Sequence, residues 1–247
     1  PGFQADFVVL DNLQDLNVTD VFYKGKLVDR NAPIRVKTCG RALKHTVHLD
    51  KVKAEQFVLP IGKKKTHVIG INPSQITTED LAVSLQPAAN YVPTDGYSKV
   101  AAVERHHNTG KIGVAVAKGY GIRNGAVASS VSHDSHNIIV IGDNDRDMAL
   151  AVDEIIRTQG GYTVVENGEV FETLPLPIMG LMSDAGFESV NETLGRMIKK
   201  AHEMGVPADI EPFITLSFLA LPVIPALRIT PRGLCLLTAK GPEILQE

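Results

Sequence analysis

The 247-residue sequence has few cysteines and no excess of either charge. Two cysteines, Cys39 and Cys235, are too few for a disulfide framework or a four-cysteine zinc site. Their number is typical of a reducing compartment, so we expect a cytoplasmic protein. Lys and Arg together number 25 against 28 Asp and Glu, for a formal net charge of −3. This balance gives no electrostatic reason to expect a nucleic-acid partner.

Long hydrophobic runs are also missing. The longest uncharged stretch runs from Phe213 to Leu227 and contains Pro222 and Pro225. It is shorter than the ~20 apolar residues that span a bilayer, so we expect no membrane segment and interpret it as a buried helix stopped by proline. The sequence begins at Pro1 without a signal-peptide pattern. Because this residue is not Met, we expect a fragment or a processed product.

Length and composition are those of a globular protein. Hydrophobic residues make up 44% and charged residues 21%, which excludes disordered, collagen-like and coiled-coil proteins. The chain can form one large domain, or a medium domain with a small partner. It is too short for a (β/α)8 barrel of about 250 residues together with any other domain.

Short apolar runs predict the strands of the larger part of the chain. One of them, 137–142, is apolar enough to be covered on both faces. Asn167-Gly168 lies between two such runs and predicts a hairpin, because both turn positions need a positive φ. Since hairpins intrude among alternating helices and strands, we predict an α/β (α+β) fold, a mixed β-sheet domain with flanking helices. The predicted strands are 66–71, 99–104, 137–142, 162–165 and 170–171.

Two helices follow from apolar periodicity and from end signals. The first spans 144–159, with Gly160 predicted to end it. The second is predicted to open with a capping box from Ser189 to Glu192 and to close at Gly205.

The first residues predict a separate piece. Three short strands are expected, at 5–11, 21–23 and 26–28. Lys24-Gly25 predicts a tight turn between the last two. Three strands are little for a stable domain, so this piece is expected to complete a sheet whose other strands lie elsewhere. We place a boundary at Asn31-Ala32-Pro33 and predict two domains, 1–38 and 39–247.

The densest polar cluster is 129–137, directly before an apolar strand. Its hydroxyls, imidazoles, carboxylate and amide are costly to bury without partners, so the cluster is typical of a strand end facing a cleft. The imidazoles of His133 and His136 can bind a metal, transfer protons near neutral pH or hold a purine-like edge. The alternative is a loop whose side chains bond to their own backbone. The candidate site residues here are Ser132, His133, Asp134, Ser135, His136 and Asn137.

A second cluster, 104–110, follows another apolar strand. Glu104 and His106 face the same side if that strand continues, and both are candidate site residues. Open α/β sheets place their sites at strand ends, so we expect the two clusters to meet across one crevice. The alternative is an exposed loop with a weak ion pair between Arg105 and Glu104.

Three weaker patterns carry less information. The segment 119–125 resembles a dinucleotide fingerprint, but its third glycine falls one residue late. His45 and His48 are spaced like the other histidine pair, yet on an extended segment they face opposite ways. Ser183 and Asp184 can serve a site or can cap a helix. No phosphate loop, nucleophile elbow or His-Glu-x-x-His motif occurs in the sequence.

Several segments resemble the C-terminal domain of microbial adenine deaminases, members of the amidohydrolase superfamily. The stretches 104–110, 125–137 and 180–184 are similar to that domain's signature segments, and 212–228 is similar to its closing segment. The run at 5–11 resembles the last strands of the small β-sandwich that amidohydrolases build beside their barrel. The resemblance covers essentially the whole chain.

The resemblance implies hydrolysis of adenine to hypoxanthine and ammonia, a purine-salvage reaction, by hydroxide bound to a binuclear manganese or iron centre. In that family the centre lies in a (β/α)8 barrel, and its ligands begin with a His-x-His pair. None of the eight histidines here forms such a pair. We therefore expect a C-terminal portion without metal ligands, inactive alone, whose partners are adenine, the barrel of the same protein and further copies in a homo-oligomer.

The resemblance also suggests a role for the polar clusters. The loop 133–137, with Glu104 and His106, is expected to face the barrel mouth and to help enclose the purine. Two alternatives stay open. One is a non-catalytic docking or oligomerisation domain, and the other is an independent purine-binding module.

Overall fold

The computed structural model describes residues 1–32, 40–94 and 96–245. Contacts divide the chain into two compact units, Pro1–Thr38 and Cys39–Glu247. The boundary is predicted at Asn31-Ala32-Pro33, of which Pro33 lies outside the described residues. Among the helices of the described ranges, none has the length and apolar character needed to cross a bilayer.

The first unit is a three-stranded antiparallel sheet in the order β1-β2-β3. Phe7 of β1 stacks on Phe22 of β2 with ring centroids 4.6 Å apart. Lys24 and Gly25 both have positive φ, which confirms the predicted tight turn between β2 and β3. Consecutive strand residues point to opposite faces, and Phe7 and Val8 are both about half exposed, so both faces are apolar and open. The strands are β1 (Phe7–Leu10), β2 (Val18–Tyr23) and β3 (Lys26–Leu27).

The second unit is built on an eight-stranded mixed sheet in the order β11-β10-β8-β9-β6-β7-β4-β5. Every neighbouring pair is antiparallel except β4 and β7. The predicted mixed sheet is therefore confirmed. Its strands are β4 (Thr66–Ile71), β5 (Thr78–Val83), β6 (Tyr97–Val103), β7 (Ile112–Lys118), β8 (Gly125–Ser129), β9 (Ile138–Gly142), β10 (Gly161–Glu166) and β11 (Glu169–Pro175).

Among its described residues, this unit also contains three α-helices, two single-turn 3-10 helices and a second small sheet. The α-helices are α1 (Asp145–Thr158), α2 (Phe187–Glu203) and α3 (Pro212–Leu219). The 3-10 helices are Arg41–Lys44 and Ala54–Phe57. The small antiparallel sheet consists of β12 (Leu227–Thr230), β13 (Gly233–Thr238) and β14 (Gly241–Ile244).

Two helix boundaries differ from the sequence prediction. The left-handed residue that ends α1 is Gln159, with φ 60°, rather than Gly160. The predicted capping box at Ser189 is wrong, because α2 already begins at Phe187, after the extended residue Gly186. Ser189 therefore lies in the first turn, where its backbone is already helical.

The main sheet is covered on both faces, as strand alternation requires. Val100 and Ala102 of β6 belong to the core beneath α2, α3 and the small sheet. Ala101 and Val103 belong to the opposite core beneath α1 and the 3-10 segment. All the apolar side chains of β9 are fully buried, which confirms the prediction for 137–142. Each buried Ile or Val contributes about 1.5–3 kcal/mol to folding.

The order β8-β9-β6 brings two chain connections to one end of the sheet. Ser129 at the end of β8 pairs with Ile139, and Val103 at the end of β6 pairs with Ile138. The loop 130–137 between β8 and β9 therefore emerges beside the segment that follows β6.

Candidate functional site

The structure brings the two predicted polar clusters together at this end of the sheet. Arg105 Nε donates to the carbonyl oxygen of His136, and the Arg105 backbone N–H donates to Asn137 Oδ1 at 3.3 Å. His106 Nε2 lies 2.7 Å from the carbonyl oxygen of Ser135, so this nitrogen carries the proton and donates. The contacts between the clusters are mostly to main-chain acceptors, so side chains of the 104–110 segment hold the backbone of the loop.

Two imidazoles and one phenyl ring form the outer surface of the loop. The ring centroids of His133 and His136 are 6.1 Å apart, and Phe218 of α3 lies 4.9 Å from His133. The side chain of His133 is 40% exposed and that of Asp134 is 85% exposed. This group is therefore an open face, which needs a second surface before it can enclose a small molecule.

Several side chains of the loop bond locally, as the self-capped alternative predicts. Ser129 Oγ donates to the carbonyl oxygen of Val131 at 3.1 Å and accepts from its N–H at 2.9 Å. Asn137 Nδ2 donates to Ser135 Oγ at 3.1 Å. These bonds define the loop conformation without any ligand.

Three buried polar atoms around the same loop have no hydrogen-bond partner among the described residues: Ser132 Oγ, His136 Nδ1 and Ser217 Oγ. Backbone bonds hold their residues together, since His133 N–H donates to the Ser217 carbonyl at 3.0 Å and His136 N–H to the Ser132 carbonyl at 2.6 Å. Leaving a buried donor or acceptor unpaired costs about 1–3 kcal/mol. Local capping does not account for these three atoms.

The imidazole of His136 favours its neutral form. Burial is the largest cause that lowers its pKa, and the nearby charges of His133, Arg105 and His106 act in the same direction. Asp134 opposes the shift. At neutral pH the ring therefore offers one donor nitrogen and one acceptor nitrogen.

Glu104 does not face the imidazoles. The prediction that it shares a face with His106 assumed a continuing strand, but β6 ends at Val103. The Glu104 carboxylate turns back into its own loop and accepts from the N–H of His107 at 3.0 Å and from Thr109 Oγ1 at 3.0 Å, as well as from the His106 N–H. Burial would raise the pKa of Glu104, but these bonds together hold it below its ordinary value.

Arg105 differs most from the role that the sequence predicts. The expected alternative, an exposed ion pair with Glu104, is wrong, because Arg105 is 2% exposed and donates to backbone carbonyls. Ser217 and Phe218 were also not singled out individually. In the sequence, these two residues are marked only by the apolar segment around them. That segment predicts burial, but it does not predict which loop they contact.

The weaker patterns do not add to the site. The 119–125 segment leads into strand β8 and not into a helix, so it lacks the context of a dinucleotide fingerprint. Asp184 pairs with Lys44, and Ser183 Oγ accepts from the Ala185 N–H at 3.1 Å. Neither caps α2, which starts after Gly186.

The ligand set of a binuclear metal centre does not fit this site. Within the described ranges, no three or more His, Cys, Asp or Glu side chains lie close enough together to hold a metal ion. The carboxylate that acts on His136 beside His133 is that of Asp134, whose side chain is solvent-exposed. These residues can donate, accept and stack, but they supply too few ligands for such a centre.

Comparison with known proteins relates the whole chain to one family. Residues 75–240 match the family described as the adenine deaminase C-terminal domain. An adenine deaminase of Desulfitobacterium hafniense is 50% identical over 236 residues, which cover 95% of this chain and 41% of the relative. An adenine deaminase of Nitratidesulfovibrio vulgaris (strain DP4) is 46% identical, and one of Clostridium acetobutylicum is 40% identical. These two alignments cover 95% and 94% of this chain and 42% of each relative.

The chain thus spans about two fifths of the length of the curated relatives that it matches. The matched family region contains both polar clusters, the helices and most of the main sheet. The alignments with the relatives extend the similarity to nearly all of the sequence. The chain belongs to the family of adenine deaminase C-terminal domains.

Proposed function

We propose that this chain is the C-terminal part of an adenine deaminase, an enzyme that hydrolyses adenine to hypoxanthine and ammonia in purine salvage. Relatives named adenine deaminase match 95% of the chain at up to 50% identity, which supports the proposal. The metal centre is assigned to the portion of the parent protein that this chain does not cover, because the described residues offer no ligand set. When bound there, manganese or iron would supply an activated water.

Within the parent enzyme, the loop 130–137 is proposed to form one wall of the purine site. The observation that carries this role is the set of buried, unpaired atoms Ser132 Oγ, His136 Nδ1 and Ser217 Oγ. Heterocyclic nitrogens and an amino group of adenine are matching donors and acceptors for such atoms. The neighbouring rings of His133 and Phe218, tilted by 31° to each other, offer aromatic faces on which a planar base can stack.

The loop is also suited to proton transfer. A neutral imidazole can accept a proton near pH 7, and His136 is held in that form by burial and by neighbouring positive charge. His106, whose Nε2–H is engaged by the Ser135 carbonyl, serves to hold the loop. We assign Asp134, which is exposed beside His133, to the side of the loop that faces the opposite wall.

The domain assignment of residues 1–38 belongs to the same proposal. The three-stranded sheet exposes Phe7 and Val8 on opposite faces, each about half accessible, and Leu27 is 60% exposed. An isolated sheet of this size is marginal in water and needs a second layer. We assign it as the last strands of a small β-sandwich that the remainder of the parent protein completes.

Cytoplasmic location, a homo-oligomeric state and the choice between manganese and iron are further parts of the proposal. The small number of cysteines motivates the first, and the family resemblance of the sequence motivates the other two. Size-exclusion chromatography and metal analysis of the parent protein test the last two directly.

The decisive experiment measures adenine deamination by the parent protein carrying His136→Ala or His133→Ala. We expect kcat/KM to fall at least tenfold, which corresponds to about 1.4 kcal/mol of lost transition-state stabilisation. His67→Ala is the matched control, because His67 lies on the β4–β5 side of the sheet and bonds to Asp80 at 2.8 Å. The control is expected to stay within about threefold, or ~0.7 kcal/mol.

Losses below threefold in both loop variants would exclude the active-site role. Titration of adenine into this chain alone then distinguishes the two alternatives. Binding that His136→Ala abolishes would identify an independent purine-binding module. Absence of binding, together with loop variants that change the oligomeric state of the parent protein, would identify a docking or oligomerisation domain.

A further inference from the structure

Arg105 is a buried cation that no acidic side chain balances in the part of the chain that the structure describes. It is 2% exposed, and no carboxylate of the described ranges lies within ion-pair distance of it. Burial alone lowers the pKa of Arg105 to about 10. Burying a guanidinium costs free energy unless its N–H groups donate hydrogen bonds. The acceptors of these bonds therefore identify the segments that Arg105 holds in place.

The guanidinium donates to three separate segments of the chain. Nε donates to the carbonyl oxygen of His136, in the loop between β8 and β9. One terminal nitrogen donates to the carbonyl of Thr46 at 3.1 Å and to its Oγ1 at 3.3 Å. The other donates to the carbonyl of Met179 at 3.0 Å. One planar group therefore joins the 130–137 loop to the segments around residues 46 and 179.

The backbone at Gly180 leaves room for the Arg105 guanidinium. Gly180 has φ +71°, and a Cβ at this position would lie 2.6 Å from a terminal nitrogen of Arg105. Ser130 Oγ donates to the Gly180 carbonyl at 2.6 Å, so the loop also holds this glycine from its other side. The Arg105 carbonyl accepts from the His48 N–H at 2.7 Å, which fixes the first segment a second time.

We propose that Arg105 is a positioning residue, whose guanidinium holds these three segments together and thereby sets the place of the His136 imidazole. The positioning of His136 by Arg105 is argued from the hydrogen bonds above. Its consequence for catalysis rests on the proposed function. A lysine keeps the charge but lacks the planar fork, so it cannot reach the carbonyls of His136, Thr46 and Met179 together.

The test measures the pKa of His136 by NMR titration of the histidine rings in this chain. The His136→Gln variant identifies which ring signal belongs to His136. The charged or titratable groups that face the ring are His133, Asp134, His106 and Arg105. In Arg105→Lys we expect the pKa of His136 to rise by about half a unit or more, because a released loop hydrates the ring while the charge is kept. The amide signals of residues 46, 136 and 179 are expected to shift with it.

Arg228→Lys is the matched control. Arg228 is also fully buried, has its pKa lowered to about 10 by burial, and donates to the carbonyls of Ile76 and Pro225. Its replacement removes a comparable set of buried bonds at a place outside the loop. We expect a loss of stability similar to that of Arg105→Lys, with no change in the titration of His136.

Gly180→Ala provides a second variant if Arg105→Lys fails to fold. Its Cβ displaces the guanidinium without removing it, and the expected change at His136 has the same direction. An unchanged His136 titration in the folded variants, or an equal shift in Arg228→Lys, would overturn the positioning role.

The activity of the parent protein separates this inference from the proposed function. We expect Arg105→Lys to move the acidic limb of kcat/KM to higher pH in step with the NMR titration. A shifted titration with unchanged deamination would leave the positioning role standing and would contradict the active-site role of the loop.

Discussion

Arg105 and Arg228 are buried without a carboxylate partner among the described residues, whereas Arg157 and Arg196 pair with glutamates at the surface. Arg157 has its partner Glu154 one helical turn away in the sequence, whereas Arg105 and Arg228 bond to carbonyls in distant segments. Burial decides the difference, because a guanidinium removed from water must bond to whatever carbonyls the surrounding segments present. Exposed arginine pairs contribute at most about 1 kcal/mol.

Glu211 leads to a residue-scale prediction on pH. Its carboxylate caps α3 by accepting from the Ile214 N–H, and burial raises its pKa despite that bond. A carboxyl group with a raised folded-state pKa stabilises the fold fully below its unfolded value, near 4.5, and loses this contribution as pH rises through the folded value.

We therefore expect Glu211→Gln to become more favourable relative to the original chain as pH rises above 4.5. The amide stays neutral, and its oxygen still accepts from the Ile214 N–H. Chemical unfolding of both proteins at pH 4 and pH 8 measures the difference in their unfolding free energies. The two measurements at pH 4 serve as the internal control. A difference in unfolding free energy that does not change with pH contradicts the prediction.

At the scale of elements, two glycines show opposite requirements. Gly113 in β7 lies against the small sheet, where an added Cβ would overlap the Thr230 carbonyl and approach Gly233 N to 2.7 Å. Gly195 in α2 has open space around its missing Cβ and is exposed. The first glycine permits two sheets to pack closely, and the second only weakens a helix.

We expect Gly195→Ala to stabilise the chain by about 0.8–1 kcal/mol, because glycine is a poor helix former. Gly113→Ala is expected to destabilise it by about 1–3 kcal/mol through overpacking. Urea unfolding measures the change in unfolding free energy of each variant. The two changes can be compared directly, because each substitution adds one methyl group. Equal effects of the same sign would show that close packing at Gly113 is not required.

The elements also show where sequence patterns succeed. The strands predicted at 66–71 and 137–142 and the hairpin at Asn167-Gly168 are confirmed, since apolar periodicity and turn chemistry are local. The strand predicted at 99–104 is also present, but it ends at Val103. Strand β8 was not predicted, because its Gly-Ala-Val-Ala-Ser sequence has low strand propensity and forms a strand between neighbours on both sides. The start of α2 was misplaced, because the helix begins after the extended residue Gly186 and no side chain caps it, so the serine at 189 does not mark its start.

For the whole molecule, the division into two compact units leads to a deletion experiment. The second unit has buried cores on both faces of its main sheet, while the first exposes much of its apolar surface. A chain beginning at Gly40 should keep its thermal midpoint within about 3 °C, which corresponds to less than about 1 kcal/mol.

Calorimetry and light scattering check this expectation. The shortened chain should also aggregate less, because the exposed residues Phe7 and Val8 are removed with the first sheet. A fall in the midpoint of more than about 6 °C would show that the first unit contributes to the core of the second. The outcome also bears on the domain assignment of residues 1–38.

The sequence by itself determined the class of fold, five of the eight strands of the main sheet with their hairpin, the family and the location of the two polar clusters. These depend on local patterns and characteristic segments. Only the tertiary structure decided that Glu104 turns away, that Arg105 joins three segments, and that Ser217 and Phe218 of α3 complete the loop. The physical reason is that burial and hydrogen-bond partners come from segments distant in sequence, and periodicity contains no information about which segments meet.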